Sequence, residues 1–203
     1  MDKIVLASSN PGKIREFREM LGPLGIEIEP QSSLGIEDVE EPHGTFVGNA
    51  LVKARHAARR SKLPALADDS GICVSALGGE PGVHSARYAA ESAGPSDRAE
   101  QDRRNNEKMM RELAGKEDHR AHYYCVVVLM RHGDDPQPLI AEGTWNGELI
   151  EPPRGQNGFG YDPYFFVPQL NKTAAELEPG LKNLVSHRGK ALRRLIARLK
   201  EGD

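Results

Sequence analysis

The sequence predicts a domain of the α/β or α+β class, and three observations predict it. Short apolar runs alternate along the chain with stretches of helical periodicity, the pattern of strands packed against helices. Glycine and proline gather between these segments, at residues 78–82 and 143–168, and no repeat or low-complexity tract interrupts them. The length of 203 residues fits a single domain over residues 1–203, with room for two lobes.

Each element has its own signal. Residues 3–7 are apolar and read as a buried strand. Pro11 stands near a helix start, and Ile14, Phe17, Met20 and Leu21 follow at helical spacing. Residues 45–60 form a second helix, with Phe46, Ala50, Leu51, Ala54, Ala57 and Ala58 on its apolar side. Residues 64–67 are a short strand that runs out into Asp68-Asp69-Ser70-Gly71, and the apolar stretch 72–77 follows. Residues 96–113 read as a solvent-facing helix with Asn105 and Asn106 inside it. The strongest strand is 122–131, centred on Val126, Val127, Val128 and Leu129. The last helix, 186–200, places Leu192, Leu195, Ile196 and Leu199 on one face, and its basic residues form a solvated surface.

Composition narrows the function classes. Hydrophobic residues make up 38% and charged residues 28%, which excludes a wholly disordered chain. With 27 Lys and Arg against 30 Asp and Glu the net charge is −3, whereas a dedicated nucleic-acid binder is ordinarily basic. No apolar run approaches the roughly 18 residues of a membrane span. Residues 1–6 lack the basic and long apolar regions of a signal peptide. A cytoplasmic protein with neither a membrane nor a nucleic-acid partner is expected. Cys73 and Cys125 make no CxxC or zinc spacing and read as buried small hydrophobes in a reducing compartment.

Four segments can carry chemistry. Ser8-Ser9-Asn10-Pro11-Gly12-Lys13 follows a strand and opens a helix, which gathers free N–H groups, a positive helix end and a lysine. That suits a polyphosphate, although the Walker spacing is absent and an ordinary N-cap with a surface lysine reads the same way. Asp68-Asp69 sets two carboxylates at the end of an apolar strand. Neighbours on a strand point to opposite faces, so one can turn to a metal while the other braces the loop; a charged turn is the alternative. Oxygen ligands suit Mg²⁺. The acidic run 37–41 could add another carboxylate, most of it being solvated. Residues 155–163 are rich in glycine, and Phe159 and Tyr161 offer flat faces for a base beside the charge of Asp162, unless the stretch is a plain turn. Lys182, with His187 and Arg188, brings cations to the start of the last helix, where they can donate to phosphate or to a purine carbonyl. The four together point to a magnesium nucleoside triphosphate.

The chain also resembles a known family. Leu6 to Lys13, Thr45-Phe46-Val47-Gly48-Asn49-Ala50 with Lys53-Ala54, Leu66 to Gly71, Leu77 to Gly82 with Ser85-Ala86-Arg87-Tyr88, Gly158 to Pro163, and Ser186-His187-Arg188-Gly189 are similar, in this order, to motifs of the noncanonical purine nucleoside triphosphate pyrophosphatases. This is the inosine/xanthosine triphosphate pyrophosphatase family, and the resemblance runs from Ile4 to about Leu195. It implies a mixed twisted sheet with flanking helices, in two lobes around a central nucleotide-binding cleft, and a homodimer. It implies hydrolysis of ITP, dITP and XTP to the monophosphate and pyrophosphate, which keeps them out of DNA and RNA, with one Mg²⁺ or more per subunit.

The resemblance also implies residue roles. Ser8, Ser9, Asn10, Pro11, Gly12 and Lys13 would hold the triphosphate, and Glu40 and Asp69 the metal. Asp69 would be the general base, and Ser70 would contact substrate. Phe159, Gly160, Tyr161 and Asp162 would form the base pocket, with Lys182, His187 and Arg188 recognising the purine. The family often carries Glu where this chain has Gly48, which removes one acidic contributor while Glu40, Asp68 and Asp69 remain. Asn157 stands where some members carry glycine. Arg188 or Lys182 could donate to the C6 carbonyl of hypoxanthine or xanthine, whereas the adenine amino group would leave a buried cation unpaired.

Two other readings have discriminating features. The Maf-type pyrimidine nucleotide pyrophosphatases carry Ser-Pro-Arg-Arg in the first loop and lack a Ser-His-Arg element, unlike this chain. A nucleotide sensor that binds without hydrolysis would be favoured by loss of the metal carboxylates, which are present.

Overall fold

The computed structural model describes residues 2–89 and 97–201. Its main elements in chain order are β1 (Lys3–Leu6), α1 (Pro11–Leu21), β2 (Glu27–Pro30), α2 (Phe46–Ser61), β3 (Ala65–Val74) and α3 (Arg98–Leu113). They continue with β4 (Arg120–Met130), β5 (Leu139–Leu149), β6 (Phe165–Val167), β7 (Lys172–Thr173), α4 (Pro179–Val185) and α5 (His187–Glu201). The strands form one sheet in the order β2-β1-β3-β4-β5-β6-β7. β1 runs parallel to β2 and β3, with Lys3 opposite Glu27 and Val5 opposite Ala65. β6 runs antiparallel to β5 and β7, so the sheet is mixed, as the resemblance implies.

Local chemistry explains the elements nearest the site. β1 is nearly continuous in buried apolar residues, as an interior parallel strand covered on both faces must be. α1 begins where Asn10 Oδ1 accepts from the amides of Gly12 (2.9 Å) and Lys13 (3.3 Å), with Pro11 in the first turn. α2 is capped by the Thr45 hydroxyl, which accepts from the Gly48 amide, and it ends at Lys62 with a left-handed φ of 61°.

The chain divides into two compact units, Met1–Asp69 with Cys125–Gly143 and His187–Asp203, and Ser70–Tyr124 with Thr144–Ser186. β3, β4 and β5 each contribute residues to both. In the first unit Phe17, Leu21, Leu66, Val127, Leu129 and Leu192 share a buried core. In the second, Met109, Leu113, Tyr123, Trp145, Tyr161 and Phe165 do so, and the Tyr123 and Phe165 rings lie 4.6 Å apart between centroids.

Several expectations are corrected. The helix expected from residue 96 starts outside the described residues at that end, and α3 is not solvent-facing along its length: Asn105, Asn106, Met109 and Leu113 are buried. Polar side chains disguised that face. Asp68 and Asp69 do not terminate a strand, because β3 continues to Val74 and glycine at 71 sits inside it. The stretch 143–168 is not all loop either, since β5 extends to Leu149 and β6 begins at Phe165. Cys125 is buried and Cys73 only partly so. β2 and β7, four and two residues long, are too short to leave a periodic signal.

The glycines of β5 answer to packing. A Cβ on Gly143 would lie 2.0 Å from the His187 carbonyl oxygen and 2.7 Å from the Ala191 amide nitrogen, both in the backbone of α5. Gly143→Ala must push helix and strand apart. It is expected to cost about 2–3 kcal/mol, lowering Tm by roughly 4–12 °C in a thermal melt.

Candidate active site

β3 carries the acid pair, and the alternation of a strand sends its two carboxylates to different partners. Asp68 is 1% exposed. Its Oδ2 lies 2.9 Å from Lys13 Nζ on α1 and 3.0 Å from Arg188 Nη2 on α5, with Arg188 Nε at 3.2 Å. Arg188 Nη1 also donates to Glu16 Oε2 on α1, and the Cys125 thiol stands 3.9 Å from Asp68 Oδ2. Burial alone would raise the Asp68 carboxyl, but Lys13, Arg188 and Lys53 outweigh it and hold the group well below the usual carboxylate range. Arg188 is held above its ordinary value by Asp68 and Glu16 in spite of its own burial.

Asp69 faces α2. Its Oδ2 accepts from Asn49 Nδ2 at 3.3 Å and its Oδ1 lies 3.1 Å from Lys53 Nζ. Lys53 reaches Glu41 Oε1 as well, at 2.6 Å. Asn49 uses the rest of its amide on the His43 backbone, accepting from its N–H and donating to its carbonyl, so the segment before α2 is pinned beside the acid. Burial pushes the Asp69 carboxyl up, and Glu41 adds to the rise against Lys53 and Lys13. The two acids of one dipeptide are therefore shifted in opposite directions: Asp68 is a fixed anion, Asp69 a carboxylate with enhanced proton affinity. That is the division expected between a structural brace and a general base.

The second unit holds the glycine-rich loop. Asp162 is 3% exposed; its Oδ2 accepts from Lys182 Nζ at 2.6 Å and from the Phe159 amide at 2.9 Å, while Oδ1 accepts from the Tyr123 hydroxyl at 3.2 Å. Lys182 Nζ also stands 4.9 Å from the centroid of the Phe159 ring, a cation–π contact. The Tyr161 hydroxyl donates to the Ser85 carbonyl at 2.8 Å, and the ring is part of the core, not an open face.

The expected residues are divided between the two units. Ser8 to Lys13, Asp68, Asp69, His187 and Arg188 belong to the first; Ser70, Phe159 to Asp162 and Lys182 belong to the second. Ser9 Oγ donates to Asp38 Oδ2 at 2.7 Å, which draws the acidic run toward the first loop. Glu40 is exposed, and its neighbour Glu41 is the one that shares Lys53 with Asp69. Asn49 and Lys53 escaped the reading of the sequence from its chemistry. Their signal was available: a polar pair at i and i+4 on a helix whose buried residues are otherwise alanine.

These residues fit a hard divalent cation. Among the described residues no three His, Cys, Asp or Glu side chains form a ready-made cage. Mg²⁺ does not need one, since it takes one or two carboxylates and completes its shell with water and substrate phosphates. Glu41 and Asp69 already converge on one positive charge, the Lys53 ammonium.

A mixed sheet with a carboxylate pair on an interior strand, faced by lysines from two helices, defines a protein equipped for phosphate chemistry. The chain belongs to the Ham1 family, whose model matches residues 4–198. It is 60% identical over 200 residues to a dITP/XTP pyrophosphatase of Ralstonia nicotianae, covering 98% of each chain. A dITP/XTP pyrophosphatase of Nitrosomonas europaea is 60% identical over 203 residues, 100% of this chain and 97% of that one. Among solved structures, the HAM1 protein from Coxiella burnetii superposes with a TM-score of 0.86 at 48% identity, over 99% of this chain and 100% of that one. The Staphylococcus aureus Ham1 protein does so with a TM-score of 0.83 at 39% identity, over the same shares.

Proposed function

We propose that this protein is a nucleoside triphosphate pyrophosphohydrolase that converts dITP, XTP and ITP to the monophosphate and pyrophosphate. The observation that carries the mechanism is the divergence of the two carboxylates of β3, Asp68 bound to Lys13 and Arg188 and Asp69 turned to Asn49 and Lys53. Asp69 orients the attacking water and takes its proton, and Asn49 and Lys53 hold the carboxylate in position for this. Asp69 with an oxygen of the Glu40–Glu41 pair would hold Mg²⁺, which when bound would neutralise phosphate charge and lower the pKa of a water. Ser8 to Lys13 bind the triphosphate, with the Lys13 ammonium offsetting the charge that grows on the pyrophosphate leaving group. Ser70 contacts the substrate. Phe159, Gly160 and Asp162 bind the base, Tyr161 anchoring their segment from the core, and Lys182, His187 and Arg188 favour purines with a C6 carbonyl over adenine.

The test is pyrophosphate release from ITP, XTP, dITP, ATP, GTP and dTTP with Mg²⁺, alongside an EDTA control. Fast, EDTA-sensitive release from the first three, with little from ATP, is expected. Preference for dTTP would move the protein to the Maf-type activity, and binding of ITP without any release would make it a sensor. A homodimer acting in the cytoplasm, on triphosphates before polymerases use them, completes the proposal. Among the described residues no helix is long and apolar enough to cross a membrane.

A further inference from the structure

α3 has no part in the chemistry described so far, yet it turns two polar side chains toward the glycine-rich loop, the half-buried Asp102 and the buried Asn106. Asp102 Oδ2 accepts from the Gly160 amide at 3.0 Å, and Asn106 Nδ2 donates to the Gly160 carbonyl at 3.0 Å. The two stand one helical turn apart, and Asn106 Nδ2 also donates to the Asp102 carbonyl at 2.8 Å. Between them, Asn105 donates to the Ser85 and Ala86 carbonyls and accepts from the Ala89 amide, so the same face of the helix also fixes the turn that Tyr161 bonds to.

The geometry of these bonds is specific. The amide of Gly160 belongs to the peptide plane it shares with Phe159, and its carbonyl to the plane it shares with Tyr161. Asp102 holds the first plane and Asn106 the second, while Asp162 holds the plane before Phe159 through the Phe159 amide. Three successive peptide planes are thereby fixed at a residue with a φ of +63°, a conformation that glycine adopts at no steric cost. Asn106 is 7% exposed, and its side-chain oxygen is buried with no hydrogen-bond partner among the described residues.

We propose that Asp102 and Asn106 are positioning residues for base recognition, clamping both peptide planes of Gly160 so that the Phe159 ring and the Lys182 ammonium over it are set before a base arrives. The inference rests on the reading of residues 159–162 as the base-binding segment. Without the clamp the segment samples other orientations, and apparent affinity falls by the fraction of time the correct one is populated. The hydrolytic machinery around Asp69 is left in place, and ATP, which the oriented segment does not favour, depends on it less than XTP does, so the loss falls on KM for XTP and on discrimination between bases.

The test is steady-state kinetics with XTP and ATP on Asp102→Ala, Asn106→Ala, Asp102→Asn and Phe159→Ala, with thermal melts of each. Both alanine variants at α3 are expected to raise KM for XTP about tenfold, with kcat moving far less, and to shrink the XTP-to-ATP ratio of kcat/KM by a similar factor. Asp102→Asn keeps an oxygen able to accept from the Gly160 amide and is expected to recover most of the lost discrimination. A fall in kcat with an unchanged KM and an unchanged base ratio would show a purely structural role and overturn the proposal. So would an Asp102→Asn variant as impaired as Asp102→Ala. Phe159→Ala separates the two levels. If it leaves KM and the ratio unchanged, the base-binding reading itself fails and the clamp with it. If it degrades both while the α3 variants do not, only the clamp fails.

Discussion

Asp69→Asn is expected to lower kcat by about 10²–10⁴-fold, the range a positioned general base contributes, while the protein stays folded. The amide keeps the size of the carboxylate and its acceptor toward Asn49, but it cannot take a proton from water. Burial raises the Asp69 carboxyl above the 3.8 of an ordinary aspartate, so the folded state favours its neutral form. The sign has two consequences. Activity needs the carboxylate, so kcat/KM falls on the acid side as the group protonates, and the variant lacks that limb. Stability contributed by this group is present below the unfolded value and lost as pH rises through the folded one, so at neutral pH the ionised side chain is a cost that asparagine removes. Lys53 retains Glu41 as a partner. A Tm held within about 5 °C, together with the lost turnover, is the expected pair of results. Near-normal kcat would remove Asp69 from the general-base role.

Asp68→Ala acts in the opposite way, on stability. The side chains of Asp68 and Arg188 are 0% and 3% exposed, and that of Lys13 is 15% exposed. Removing the carboxylate takes from Lys13 and Arg188 the anion they share, and breaking a buried ion group in this way costs about 3–5 kcal/mol. For a chain of this size that is a fall in Tm of roughly 6–20 °C. Asp68→Ala with Arg188→Met restores the charge balance between Lys13 and Glu16, so the double variant is expected to lose about 0.5–3 kcal/mol less than the sum of the singles. The pH dependence follows the depressed carboxyl. Its folded value lies below 3.8, so its contribution is complete above that value and is lost as pH falls beneath it. Acid melts of the wild type should steepen there, and those of Asp68→Ala should not. Strict additivity of the two substitutions would mean that the residues are energetically independent.

Much of this site is legible in the sequence because its signals are local. Asn10 ahead of Pro11 announces the cap that starts α1, and two adjacent aspartates after Leu66 and Ala67 announce carboxylates on a strand with divergent faces. The glycines around Phe159 announce a loop that approaches its neighbours closely. The acidic run before α2 is legible only as a group. Glu40 and Glu41 are equivalent as text, and only the fold shows that Glu41 is the one bonded to Lys53, twelve residues away.

By itself the sequence determined that the chain alternates strands and helices, where α1, α2 and α5 begin to within a residue, that a carboxylate pair sits on an apolar strand, and which family its motifs match. Those properties depend on neighbours within about one helical turn or along one strand. Tertiary structure alone decided which charge meets which. Arg188 lies 120 residues from Asp68 and reaches it because α5 follows the strands that complete the first unit. It also decided that α3, a helix whose polar composition reads as solvent-facing, buries Asn105 and Asn106 against backbone groups. An asparagine that binds a distant peptide and one that binds water have the same local sequence signature. Only the partner's position in space separates them, because a hydrogen bond is made within about 3 Å and carries no record of the chain distance between its ends.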